Sequence, residues 1–184
     1  PRDSLAIDAL GSLDGWQQRT SRDEGLEDGN PRYLRRAGEV RFSAVKEEAA
    51  IEVEIRPTGG SPLLPMYGVL ERRQPVPIGG EPRRIGVWVK GSSGWGRVTY
   101  ELADAKGERW LGAGGSEDSY GYGFINFDGW RWVEVDLPGH FRRDYPWPSY
   151  GNWTAAGGDG IVDYPVSLKS IVVEQRDQVV YVNK

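Results

Sequence analysis

The fold is read most clearly from residues 84–90, RIGVWVK, and from residues 130–137, WRWVEVDL. In both segments valine, isoleucine or leucine recurs at every second position, which is the period of a β-strand with one face in a core. Tryptophan occupies three of the intervening positions, 88, 130 and 132, so these indoles point to the opposite face of each strand. We therefore predict strands at Arg84–Lys90 and Trp130–Leu137.

Further strands are predicted on both sides of these segments. Val40 and Phe42 alternate with polar residues, as do Ile51, Val53 and Ile55. Segments 98–102 and 108–112 form a hairpin around a turn at 104–107, and segments 166–175 and 178–182 form a closing hairpin. Residues 57–82 contain six prolines and are predicted as a long loop, with a short strand at 66–71 as an option. Residues 138–165 are predicted as a long aromatic loop.

The composition agrees with a fold built of short strands and turns. The 184 residues include 26 glycines, 12 prolines, 8 tryptophans and 9 tyrosines, and no amphipathic helix of any length is visible. We predict an all-β antiparallel sandwich, most simply a jelly roll, formed by one domain over residues 1–184. Residues 1–36 form its irregular N-terminal part, with a helical turn or a first strand at residues 6–13.

Charge and residue usage exclude several function classes. The net charge of −4 disfavours binding to nucleic acid or to an anionic membrane, because both would need a basic surface. The absence of cysteine excludes disulfides, thiol catalysis and cysteine-ligated zinc. No apolar run approaches the roughly 20 residues of a membrane span, and no signal peptide is recognisable. We take the chain as a fragment or processed piece.

Four segments carry a family resemblance. They read PRRIGVWVKG at 82–91, VTYELADAKG at 98–107, INFDGWRWVEVDL at 125–137 and YPVSLKSIVVE at 164–174. The first and last resemble strands of galactose-binding-like jelly-roll domains, the second resembles their following hairpin, and the third resembles a further segment of the same domains. The resemblance implies a carbohydrate-binding module attached to a larger secreted bacterial glycoside hydrolase or polysaccharide lyase. Its partners would be a polysaccharide or oligosaccharide and the catalytic domain of the same parent chain, outside the cell, in the periplasm or at the cell surface.

The resemblance also raises the question of a metal. Jelly rolls of this superfamily often hold a structural calcium between their first and last strands, and calcium takes hard oxygen ligands. Asp28 and Glu174 are the candidate ligands by position, with ordinary surface charge as the alternative. No cofactor is required for the predicted function.

Sugar recognition would use aromatic side chains, because the C–H faces of sugar rings stack on flat indole and phenol rings. Stiff, proline-bearing loops would hold such rings with little entropy lost on binding. The alternative is that these aromatics plug one end of the sandwich. The candidate residues lie in the 138–165 loop, in the 114–123 loop and in a glycine-rich turn, and they are Trp147, Tyr150, Trp153, Tyr145, Arg143, Tyr120, Tyr122 and Trp95.

The tryptophans of the two deciding strands have two interpretations. Trp88, Trp130 and Trp132 lie on the face opposite the valines, and we expect the long loops to cover that face, because several exposed indoles favour aggregation. The alternative is that this face itself binds sugar. In that case Trp88 and Trp132, together with Glu134, would form the site.

Two other functions are compatible with the sequence. A purely structural sandwich could brace a catalytic domain. A small glycosidase or lyase could use paired carboxylates, either Glu134 with Asp136 or Glu52 with Glu54, because glycosidases need two such groups. The expected role is non-catalytic, since alternating acidic residues are common on the solvent face of a strand.

Overall fold

The computed structural model describes residues 4–19, 38–57, 66–94, 96–112, 124–138 and 153–175. Within these ranges the protein is all-β, without a helix. The strands are β1 (Trp16–Arg19), β2 (Gly38–Val45), β3 (Ala50–Pro57), β4 (Met66–Pro77), β5 (Arg84–Ser92), β6 (Gly96–Ala103), β7 (Arg109–Gly112), β8 (Phe124–Ile125), β9 (Asp128–Asp136), β10 (Trp153–Ala156) and β11 (Ser167–Gln175).

The strands form one large sheet and two ribbons. The seven-stranded main sheet has the order β1-β4-β11-β6-β7-β10, with β8 paired to β6. The ribbons are β2–β3 and β5–β9, and every described pair is antiparallel. This confirms the predicted all-β antiparallel class, and the jelly-roll connection stays a prediction.

The core lies between the main sheet and the two ribbons. It joins Phe42 of β2, Ile85 of β5 and Val135 of β9 to Tyr100 of β6 and Ile171 of β11, all of them buried. Each of these residues belongs to the inward-facing half of its strand, as the period of two requires. The arrangement is a β-sandwich, since two layers of strands bury one shared apolar interior.

The proline-rich segment at 57–82 is predicted as a long loop, but most of its second half forms a strand. β4 covers Met66–Pro77 and lies between β1 and β11 in the main sheet. Proline removes a backbone donor and is therefore tolerated where the ladder is interrupted. Pro75 lies at such a place, because β11 has a bulge between Leu168 and Ser170 and the pairing with β4 resumes only at Val76.

Two further predictions are corrected. The expected loop at 138–165 contains β10, which pairs with β7 through Trp153 and Gly112. The expected helix or strand at residues 6–13 is irregular, and the first strand begins at Trp16. In the predicted closing hairpin, β11 is confirmed and residues 178–182 lie outside the described ranges.

A buried ion network crosses the main sheet on the side away from the core. Arg19 contacts Glu71 at 2.5 Å and Glu101 at 3.0 Å, and Ser170 donates to Glu101 at 2.8 Å. Burial favours the neutral form of Glu71, but hydrogen bonds from Arg19 and Gln17 outweigh it and lower the pKa of Glu71. The stabilisation is therefore present above the ordinary carboxyl pKa and is lost as the pH falls through the lowered value.

Removing the cation should destabilise this network. Arg19→Ala removes the closer of the two cations beside Glu101, which is 1% exposed and keeps only Lys169 at 3.7 Å, and we expect a loss of about 3 kcal/mol in the free energy of unfolding at neutral pH. Urea titration followed by tryptophan fluorescence measures it. The matched control is Arg56→Ala, which removes an exposed ion pair with Glu54 and should change stability by less than about 1 kcal/mol. Equal losses in the two variants would contradict the account.

Candidate functional site

The β5–β9 ribbon places two tryptophans directly opposite each other. The register pairs Trp88 with Trp132, Lys90 with Trp130 and Gly86 with Glu134. Because side chains alternate along a strand, the even-numbered residues of both strands share the outer face. We call this surface the tryptophan face, and it consists of Arg84, Gly86, Trp88, Lys90, Trp130, Trp132, Glu134 and Asp136.

The indoles of this face are open to solvent. Trp88 is 61% exposed, Trp130 49% and Trp132 45%. The expectation that the long loops cover these side chains stays a prediction, because most of those loops, residues 113–123 and 139–152, lies outside the described ranges. The indoles point outward because the opposite face of the ribbon belongs to the core, where Ile85, Val133 and Val135 are buried. The structure thus favours the other interpretation, an open aromatic surface.

Trp88 and Trp132 form an aromatic pair with a defined geometry. Their ring centroids are 5.9 Å apart and their planes meet at 64°, which is an edge-to-face arrangement. Such pairs are favourable because the positive edge of one ring meets the negative face of the other. The two rings therefore hold each other in place while about half of their surface stays in water.

A polar chain fixes the orientation of Trp132. Its Nε1 donates to Oε2 of Glu134 at 2.8 Å, and Oε1 of Glu134 accepts from Nη1 of Arg84 at 2.6 Å. Arg84 also donates through Nε to Oδ1 of Asp136 at 3.0 Å. These carboxylates raise the pKa of Arg84, chiefly through the hydrogen bond with Glu134. Both oxygens of Glu134 are therefore engaged in positioning the aromatic ring.

Gly86 lets the Trp132 ring pack directly against the backbone of β5. A Cβ added at Gly86 would be 2.5 Å from Cζ2 and 2.7 Å from Cε2 of Trp132. No real Cβ approaches a ring so closely, so any larger residue would push the indole away. The glycine at position 86 thus allows the Trp132 ring to rest against the ribbon next to Glu134.

The opposite end of the tryptophan face carries a second ion pair. Lys90, the register partner of Trp130, contacts Glu48 in the turn between β2 and β3. Both side chains are partly exposed. The contact ties the β5–β9 ribbon to the neighbouring β2–β3 ribbon and neutralises the lysine beside the aromatic surface.

One predicted binding residue needs correction. Trp153 is only 6% exposed, belongs to the core, and donates from Nε1 to the carbonyl oxygen of Asp136 at 2.7 Å. The indole is inside because Trp153 begins strand β10 rather than standing in a loop. Its ring faces are therefore unavailable to a sugar, and its role is to pack the end of the sandwich against β9.

The other predicted aromatic and arginine residues stay predictions. They lie outside the described ranges, and they are Trp147, Tyr150, Tyr145, Arg143, Tyr120, Tyr122 and Trp95.

The calcium ligands also stay predictions. Asp28 lies outside the described residues. The backbone of Glu174 is in β11, where its register partners are Arg97 of β6 and Tyr67 of β4. Within the described part of the chain, no group of at least three acidic or histidine side chains is placed to hold a metal ion.

The sequence named Trp88, Trp132 and Glu134 as an alternative site but missed Arg84 and Gly86. A signal for them was present. Once the register opposes Trp88 and Trp132, parity alone puts residues 84 and 86 on the same face as 134 and 136. An arginine next to two carboxylates and a glycine beside an indole would then follow.

Comparison of the chain with protein-family models, with curated proteins and with solved structures finds no match. The class that the fold defines is thus an antiparallel β-sandwich with an exposed aromatic face. No helix in the described ranges is long and apolar enough to cross a membrane.

The packing of the Trp132 indole on Gly86 can be tested directly. Gly86→Ala should displace the indole of Trp132 and weaken the exciton coupling between Trp88 and Trp132 in circular dichroism, since that coupling depends on ring distance and angle. Gly79→Ala is the matched control, because a Cβ at Gly79 meets nothing within 4 Å. An unchanged couplet in Gly86→Ala would contradict the proposed packing.

Proposed function

We propose that this protein is a non-catalytic carbohydrate-binding module and that its glycan lies on the tryptophan face. The observation that carries the proposal is the solvent-exposed pair Trp88 and Trp132, opposed on one rigid ribbon. Exposed indoles in a contiguous patch usually mark a binding surface, because their exposure otherwise costs solubility.

The chemistry of the face suits a sugar. A pyranose ring offers a patch of C–H bonds that stacks on an indole, and its hydroxyls seek planar polar partners around the stack. Nε1 of Trp88 is hydrogen-bonded to no acceptor in the described part of the protein, so it can donate to a hydroxyl. Carboxylate oxygens of Asp136 and the guanidinium of Arg84 border the same surface.

Preorganisation supports binding at this face. The orientation of Trp132 is set by Glu134, Gly86 and Trp88 before any ligand arrives. A ring already fixed by its neighbours loses little further side-chain entropy on binding. Affinity for a short stretch of glycan should still be modest, on the order of 10–1000 µM, because few groups are in contact.

Binding rather than catalysis is the better use of the carboxylates. A glycosidase needs one carboxyl free to transfer a proton and another free to act as nucleophile or base. Glu134 uses one oxygen for Arg84 and the other for Trp132, and Arg84 also holds Asp136. The second pair, Glu52 and Glu54, lies on an exposed strand face where Glu54 is paired with Arg56.

The wider role follows from the sequence resemblance to galactose-binding-like jelly rolls. We propose that the module brings a larger secreted bacterial enzyme to its polysaccharide. The predicted aromatic residues around Trp147 and Tyr150 would then extend the contact beyond the ribbon, and the modest affinity of the module would be raised by avidity.

A second candidate function uses the same surface. A structural sandwich that braces a catalytic domain would also present an exposed apolar patch, since domain interfaces bury such patches. The tryptophan face would then be covered by protein instead of sugar. The two candidates differ in one respect: only the first predicts that the isolated domain binds a glycan.

Affinity gel electrophoresis with soluble polysaccharides tests the proposal. Trp88→Ala and Trp132→Ala should each abolish or strongly reduce retardation, by about tenfold or more in affinity, because each removes one half of the aromatic pair. Both variants should stay folded, since these side chains lie outside the core.

The control is Ile161→Ala, which removes another exposed apolar side chain at 66% exposure and should leave retardation unchanged. Its neighbour Gly160 is hydrogen-bonded to Glu108, beside the main sheet and outside the β5–β9 ribbon. Lack of retardation of the unmodified protein across a broad glycan panel would overturn the proposal and favour the bracing role.

A further inference from the structure

We infer that the tryptophan face selects individual chains of a neutral polysaccharide, rather than a crystalline polysaccharide surface or a chain of uronic acids. The inference rests on the proposed function and adds the substrate class. It is carried by two independent observations, the angle between the paired indoles and the pairing of every cation on the face.

The ring geometry argues against a flat, crystalline ligand. A crystal surface presents a plane, so it would contact indoles whose planes are parallel and level. Trp88 and Trp132 meet at 64°, and one ring stands with its edge toward the other. The two indoles therefore form the sides of an angle, into which a single sugar ring fits with one face on an indole and its rim beside the other.

The angle between the two indoles is held by neighbouring groups. Rotating the Trp132 ring until it is coplanar with Trp88 would break its hydrogen bond to Glu134. The ring also packs closely against the backbone at Gly86. A flat ligand would therefore have to reorganise the face before binding. A single chain finds it already in its binding geometry.

The charges of the face argue against an acidic glycan. The described cations of this surface, Arg84 and Lys90, are both ion-paired, the first with Glu134 and Asp136 and the second with Glu48. Three carboxylates thus accompany two cations. A uronate would meet a slightly negative surface and would have to compete with carboxylates already held by the guanidinium.

The net charge of the chain points the same way. At −4 overall, the protein repels a polyanion at distances beyond contact, and this repulsion slows the encounter. A neutral chain is indifferent to both effects. Its binding should therefore depend on apolar contact with the indoles and be nearly independent of salt.

The test measures the binding of three classes of polysaccharide to the unmodified protein and to two of its variants. The probes are soluble neutral polysaccharides (β-glucan, xyloglucan and galactomannan), the polyuronates alginate and polygalacturonate, and insoluble microcrystalline cellulose and chitin. Affinity electrophoresis covers the soluble probes and co-sedimentation the insoluble ones. Each is run at low and at high sodium chloride with the unmodified protein, Trp88→Ala and the control Ile161→Ala.

The expected result is retention by at least one neutral soluble polysaccharide, unchanged by salt, weakened about tenfold by Trp88→Ala and unaffected by Ile161→Ala. Trp88-dependent binding to a polyuronate, weakened by salt, would overturn the inference and leave the proposed function standing. Trp88-dependent binding to insoluble polysaccharide alone would do the same. Retention that survives Trp88→Ala would overturn the site assignment itself.

Discussion

The structure depends on the antiparallel pairing of β5 with β9 in the one register that opposes Trp88 and Trp132. Both strands carry large apolar side chains on both faces, so the ribbon cannot bury all of them in one core. The register sends Ile85, Val133 and Val135 inward and the tryptophans outward. A shift of one residue would exchange the two faces, placing bulky indoles in the valine layer.

The outward-facing tryptophans are held in position by neighbouring residues that lie outside the core. Arg84 bridges Glu134 and Asp136, Glu134 holds the indole nitrogen of Trp132, and Gly86 lets that ring settle on the strand. Each contact is weak alone, because exposed ion pairs contribute little to stability. Together these contacts fix the geometry of an exposed surface. We infer that this fixed geometry serves the recognition of a glycan.

Much of the fold could be predicted from the period of two. The strands around Ile85, Val133 and Ile51 follow from alternation that is visible in the sequence. β4 could be predicted only in part, as an optional strand at 66–71, because its prolines argue against a central strand and the β11 bulge opposite Pro75 is a tertiary feature. Trp153 was misassigned for a similar reason, since a short strand that pairs with β7 leaves little alternation to read.

Only part of the candidate site could be predicted from the sequence. Parity placed Trp88, Trp132 and Glu134 on a common face, but the choice between a covered and an open face depends on exposure, which no local pattern contains. The need to stay soluble favoured a tryptophan face covered by loops, whereas the structure shows exposed indoles. The roles of Arg84 and Gly86 needed the cross-strand register, which only pairing supplies.

The most direct measurement of the central claim is the solvent accessibility of assigned indole ring protons by NMR, with a soluble paramagnetic agent in the buffer. The account predicts strong relaxation enhancement for Trp88, Trp130 and Trp132, and little for the buried Trp16 and Trp153. If the ring protons of Trp88 and Trp132 were as protected as those of Trp16, the face would be covered in solution and the account would be contradicted.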